Sequence, residues 1–291
     1  MKKLIYSIIF TSILFASFGF TSKADASTDL ETLLKDKGYT SSDIALMNDE
    51  TKERIANSDG EKADYTVTAK EYYNSLDGTR YEVTDENREE INKIMNEDIE
   101  KYAQETGISI LRTNKADMNV NILSAGDSYE DAKLSVSAFV DKSSTNSIEH
   151  TYWAFLDFMW TESPTAQLTD HIGLAWTQEF KGLANSLDGY LSWAHILESN
   201  IVTGNINPSQ ELYGIKGKFL VPDSDFITGG ISQQIVAPRK YDTDLGKFQA
   251  KYVHTLVPFT GAINIGPAAV NVPTEWLTQE FVLDFNIRVG E

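Results

Sequence analysis

HTYWAFLDFMW, residues 150–160, is followed by the turn TESPTAQ (161–167) and by LTDHIGLAWTQEF (168–180). The first and last of these are near-continuous apolar runs. A strand with one wet face alternates apolar and polar residues, whereas a strand covered on both faces becomes a solid apolar run. The segment therefore reads as two buried strands joined by a proline-containing turn. Four of the five tryptophans, Trp153, Trp160, Trp176 and Trp193, fall in or just after it. Alternation puts bulky residues of YWAFLDFMW on both sides, so the stretch is expected to be chiefly core. A second layer must cover it.

Downstream the period stays at two. YLSWAHIL, YGIKGKFLV, GGISQQIVA, KFQAKYVHTLV and QEFVLDFNIRV follow, separated by the turn signals GNINPS, PDSD, YDTDLGK and NVPTE. Upstream, ISILRT, MNVNILSA and LSVSAFVD have the same character. No strand–helix unit repeats, which argues against a parallel α/β fold. The pattern predicts an antiparallel β-sandwich or jelly-roll body over residues 108–291.

The front of the chain is different in kind. From Ser27 to Lys133 there are 25 acidic and 13 basic residues; from Leu134 to Glu291 there are 17 and 9. A helix at DLETLLKDK ends at Gly38, and a second follows over SSDIALMNDETKERIA, with Ser41 or Ser42 as its cap. YTVTAKEYY and RYEV read as strands. Thr84 is expected to cap a long amphipathic helix over Asp85–Thr106, with Ile91, Ile94, Met95, Ile99 and Tyr102 on one face and Gly107 as its stop. That helix is the expected cover for the second face of the tryptophan-rich strands. The fold class is thus α+β, mainly β: a small helical amino-terminal region (27–107), including the long helix, before the sandwich. The stretch LLKDKGYTSSDIALMNDETKERIA, Leu33 to Ala56, resembles a short helical module found at the amino ends of largely uncharacterised secreted proteins of Gram-positive bacteria. The resemblance implies a secreted protein and no particular activity.

Secretion is also the reading of the first residues. Lys2 and Lys3 precede an apolar run from Leu4 to Phe20, and Ala24-Asp25-Ala26 supplies a small-residue cleavage site. Residues 1–26 are expected to be a signal peptide cut after Ala26. The chain has no cysteine, so stability rests on the core and no thiol-based metal site is available. A net charge of −18 argues against nucleic acid as a partner, because phosphate binding needs clustered cations.

The chemical signatures are sparse. HExxH, GxSxG, P-loop and GxGxxG patterns are all missing. Asp157 and Glu162 flank Trp160 and could act as paired carboxylates on a glycan, with Trp153 and Trp160 as sugar platforms. Asp170 and His171 suggest a dyad, although neighbours on a strand point to opposite faces. A zinc site from His171, His195 and His254 lacks any ligand spacing, so isolated histidines are expected. Calcium is the one cofactor with a conceivable place, at Asp223 and Asp225 or at Asp242 and Asp244. Neither loop ends in a bidentate glutamate, and ordinary turns account for both. No cofactor is therefore expected. Val253–Val272 is a low-charge stretch, but Pro258, Gly261, Gly266 and Pro267 interrupt the ~9–11 alternating residues a membrane strand needs. The leading reading is a secreted, non-catalytic binding protein whose partner is a cell-envelope glycan or an extracellular protein. A carboxylate glycan hydrolase is second, and a β-rich pore-forming protein third.

Overall fold

The computed structural model describes residues 24–107, 134–162, 164, 166–195, 200–257 and 277–291. ISILRT, MNVNILSA, the apolar leader and most of Val253–Val272 lie outside them. In chain order the elements are α1 (Ala24–Asp36), α2 (Ser41–Leu46), α3 (Asp49–Asn57), β1 (Glu61–Lys62), β2 (Thr68–Asn74), β3 (Arg80–Val83) and α4 (Arg88–Thr106). Then come β4 (Leu134–Thr145), β5 (Glu149–Trp160), β6 (Thr169–Trp176), β7 (Lys181–Gly182), β8 (Asp188–Ala194), β9 (Ile201–Gly204) and β10 (Ser209–Glu211). The last are β11 (Gly214–Leu220), β12 (Phe226–Pro238), β13 (Leu245–Thr255) and β14 (Thr278–Arg288). The expected antiparallel sandwich is present. One sheet runs β1-β4-β5-β12-β8-β9, with β7 also on β12; the other runs β10-β11-β6-β13-β14-β2-β3.

The two strands read from the tryptophan-rich stretch part company. β5 sits inside the first sheet, with Leu134–Trp160 and Ile227–Trp160 among its registered neighbours. β6 sits inside the second, between β11 and β13. The turn between them therefore carries the chain from sheet to sheet. Even-numbered β5 residues Tyr152, Leu156, Phe158 and Trp160 meet Ile172, Leu174, Trp176, Phe248, Tyr252, Phe281 and Phe285 from the other sheet. Aromatic pairs cross this core, among them Phe158 with Tyr252 at 5.0 Å and Tyr152 with Phe180 at 5.5 Å.

Odd-numbered β5 residues face the other way, and a helical layer covers them. Leu34, Tyr39, Ile44, Met47 and Ile55 pack on Phe139 and Phe155, with Trp153 at the margin. This corrects the expectation that α4 is the cover. The cause is connectivity: β1 pairs with β4, so the chain leaves α3 along the first sheet. α4 instead follows β3, and its Ile91, Met95 and Ile99 pack with Tyr73, Val83, Leu256, Val257 and Leu277 of the second. Arg88 in its first turn pairs with Glu71 of β2 at 2.8 Å. The sheets also draw β1, β2 and β3 from before residue 107, so the sandwich begins earlier than residue 108.

Two local details differ from the sequence reading. SSDIALMNDETKERIA is two helices, because Asn48 caps a new one by accepting from Thr51 N at 2.8 Å. The preceding cap is Thr40, in a capping box with Asp43. α4 starts at Arg88, three residues late, because Asn87 Oδ1 takes the Thr84 N–H at 2.7 Å and holds Thr84–Asn87 as a turn.

Phe155 is 1% exposed beneath the helical layer. Phe155→Ala is expected to lower the unfolding free energy by about 3 kcal/mol in urea denaturation. An unchanged midpoint would show that the layer does not rest on that ring.

Candidate functional site

Asp157 is on the outward, helix-facing side of β5, and it is 1% exposed. Thr51 Oγ1 and Tyr190 Oη donate to its Oδ1 at 3.1 and 3.0 Å, and Asn48 N approaches Oδ2 at 3.4 Å. Asn48 Nδ2 donates in turn to Tyr190 Oη. The carboxylate therefore binds the break between α2 and α3. Directly across the strands is Gly230, where a Cβ would come within 2.5 Å of Tyr190 Oη and 2.6 Å of Asp157 Oδ1. Glycine leaves the room the cluster occupies. Burial raises the Asp157 pKa to about 6, against the lowering effect of its hydrogen bonds to Asn48, Thr51 and Tyr190.

A second acid does the same work at the other end of α3. Asp141 of β4 is fully buried and accepts from Ser58 Oγ at 2.8 Å, and burial raises its pKa to about 6. At the margin Arg54 lies over the Trp153 ring at 4.9 Å and pairs with Asp188. Trp153 is half-buried here and Trp160 is 2% exposed in the core, so neither presents an open platform. Glu162 is exposed beyond the end of β5, whereas Asp157 is enclosed beneath the helices. The two do not face a common cleft as a hydrolytic pair would.

The third polar cluster lies between the sheets. Asp170 has even parity on β6 and points inward, while His171 points out. Asp170 pairs instead with His254 on β13, Nδ1 lying 2.9 Å from Oδ2. Tyr252 Oη donates to Oδ2 at 2.6 Å, Thr255 N donates to Oδ1 at 3.1 Å, and Trp160 Nε1 of the first sheet donates to Tyr252 Oη at 2.8 Å. Burial, then the Asp170 charge, pushes the Tyr252 hydroxyl well above its ordinary pKa, keeping it a donor. An aspartate–histidine pair can tune an imidazole for proton transfer. Here both residues are 0% exposed, and the carboxylate is used as a cross-core tie. In the sequence His254 keeps the two-residue spacing of Phe248, Ala250 and Tyr252, which puts it on their face of the strand.

The remaining candidates serve turns. Asp242 accepts from His150 and Arg239, at 2.9 Å to His150 Nε2, which holds its carboxyl below the usual range. Asp244 N donates to Tyr241 O at 2.8 Å. Asp223 accepts from Gln167 at 2.7 Å, and Asp225 lies 3.7 Å from His195. Among the described residues no group of three or more metal-ligating side chains is gathered, and no helix is long and apolar enough to cross a membrane.

A surface cleft of about 390 Å³ opens at the β10 end of the second sheet. Its lining includes Thr177, Gln178 and Glu179 after β6, Tyr213 before β11, and Leu245 and Lys247 at the start of β13. Sequence inspection did not single out these residues, because three elements distant in the chain contribute to it.

No protein-family profile matches the chain, and no curated protein does. Solved structures give partial likenesses. The collagen-binding domain of Erysipelothrix rhusiopathiae surface protein RspB aligns with TM-score 0.31 and 7% identity, over 50% of this chain and 44% of that one. The T6 backbone pilin of serotype M6 Streptococcus pyogenes gives TM-score 0.33 and 16% identity, over 51% and 35%. The collagen-binding domain of a Staphylococcus aureus adhesin gives 0.26 and 12%, over 35% and 75%. The first two are thus matched over less than half of their own length.

Because the folded-state pKa of Asp157 lies above its unfolded value near 3.9, the folded chain takes up that proton first. Its contribution to stability grows as pH falls from about 7 toward 4 and is lost as pH rises through 6. Asp157→Asn removes the titration, so the gain in unfolding free energy between pH 7 and pH 5 should shrink by about 1 kcal/mol. An identical pH profile in the variant would contradict the assignment. Asp170→Ala leaves Tyr252, His254 and Thr255 N without their acceptor, and a loss of about 3 kcal/mol is expected by thermal or urea unfolding.

Proposed function

We propose that this chain is a secreted, non-catalytic binding protein whose ligand is a macromolecule outside the cell. The observation that carries the reading is the use made of the buried acids, Glu162 being the one candidate catalytic carboxylate left at the surface. Asp157, Asp141 and Asp170 are buried, and each satisfies donors within the fold. Groups so enclosed act as ties, whereas hydrolysis needs a carboxylate that reaches substrate. The sandwich offers instead a rigid frame with loops and edge strands at its rim, the places where binding residues are commonly mounted. Secretion is supported by the Lys2–Lys3 head, the apolar run and the Ala24–Ala26 site.

Purified protein should bind saturably to at least one member of a panel of immobilised cell-wall polysaccharides, extracellular-matrix proteins and cultured-cell surfaces, without releasing reducing ends from the glycans. Turnover abolished by Asp157→Asn with the fold intact would restore the hydrolase reading. Absence of binding to any member of the panel would remove the binding reading.

A further inference from the structure

We propose that the cleft formed by Thr177–Glu179, Tyr213, Leu245 and Lys247 is a carbohydrate subsite, taking one neutral pyranose of a glycan. This rests on the reading of the chain as a binding protein and names the ligand class. The first argument is the lining. A pyranose has an apolar ring face and a rim of hydroxyls, each both donor and acceptor. Tyr213, 42% exposed, and Leu245, 51% exposed, supply apolar surface. Thr177, Gln178, Glu179 and Lys247 supply donors and acceptors around it. A volume of about 390 Å³ lies within the usual range of small-ligand sites.

The second argument is an unmet polar group. Glu179 Oε2 is shielded from solvent and has no hydrogen-bond partner. A carboxylate oxygen in that condition is costly, and a turn of the Glu179 side chain into the cleft lets it accept from a sugar hydroxyl. Lys247 lines the same cleft and disfavours a cationic side chain there. The opposite charges of Glu179 and Lys247 suit a neutral ligand that both donates and accepts.

The third argument is rigidity. Trp176 N donates to Tyr213 O at 3.0 Å, Thr177 N donates to Lys247 O at 3.0 Å, and Lys247 N donates to Thr177 Oγ1 at 3.0 Å. Gly214 allows the approach, since a Cβ there would lie 2.7 Å from Leu174 O. Phe180, 0% exposed, anchors the loop below by packing on Phe248 at 4.9 Å. All three contributing segments are therefore set before a ligand arrives, which limits the ordering cost of binding.

The test is a glycan array of neutral oligosaccharides, followed by titration calorimetry with the best-bound tetrasaccharide. Tyr213→Ala should weaken that binding by about tenfold and Glu179→Gln several-fold. Ile148→Ser, on the exposed β4–β5 turn, should leave it unchanged, and none of the three variants should lower the melting temperature. Absence of binding to any neutral oligosaccharide at millimolar concentration would overturn the proposal, as would binding indifferent to Tyr213→Ala. If a matrix protein is bound and the cleft variants do not alter it, the subsite falls while the binding function stands. If a protein is bound through the cleft, the ligand class is wrong.

Discussion

The constraint from which the architecture follows is that β5 carries bulky apolar residues on both faces and β4 beside it is buried on both. A two-sheet sandwich satisfies only one of those faces. Val136, Leu156 and Phe158 are met by the opposing sheet, but Phe139 and Phe155 on the reverse need a separate layer. The amino-terminal helices supply it. They are short, and α2 has only six residues, too few to be stable alone in water. Their structure depends on the apolar face they cover, and the sheet depends on them to keep its aromatic residues from solvent.

Covering a sheet with helix ends creates a second requirement. Helix termini expose backbone N–H groups, and any that become buried must find acceptors. Asp157 meets that need from below at the start of α3, where it takes the Asn48 N–H, and Asp141 holds the far end by accepting from Ser58 Oγ. Each is itself buried, so desolvation raises its pKa to about 6 even with the hydrogen bonds opposing. The helical layer is therefore held by groups whose charge is expensive. Asp170 solves a related problem between the sheets, where Tyr252, His254, Thr255 N and, through Tyr252, Trp160 converge on one carboxylate. Such a network ties the registers of β5, β6 and β13 to one another, because a one-residue slip would turn its members to the wrong face.

These roles explain why residues that looked chemical in the sequence are structural in the fold. Acidic residues beside tryptophan and histidine are compatible with catalysis, and also with a core that must satisfy polar atoms. What separates the two is whether the group faces a cleft or a packed layer, and the helices decide that. The cleft beside Tyr213 shows the converse. Thr177, Gln178, Glu179 and Lys247 are ordinary surface residue types with no spacing to mark them. Their significance comes from the pairing of β6 with β11 on one side and β13 on the other, which brings three separated segments to one rim.

By itself the sequence determined the antiparallel β body, the helices of the front segment and the core character of residues 150–160 and 168–176. Those properties depend on local periodicity: two for strands, about 3.6 for helices, and loss of alternation when both faces are covered. It also placed His254 on the face of Phe248 and Tyr252, since strand parity is local. Only the tertiary structure decided which helices cover β5, that β1–β3 belong to the sheets, that Asp170 pairs with His254, and that Asp157 is a docking point. Each of those is a contact between residues tens to more than a hundred positions apart. Such contacts are set by strand order and connectivity, and neighbouring residues along the chain hold no record of them.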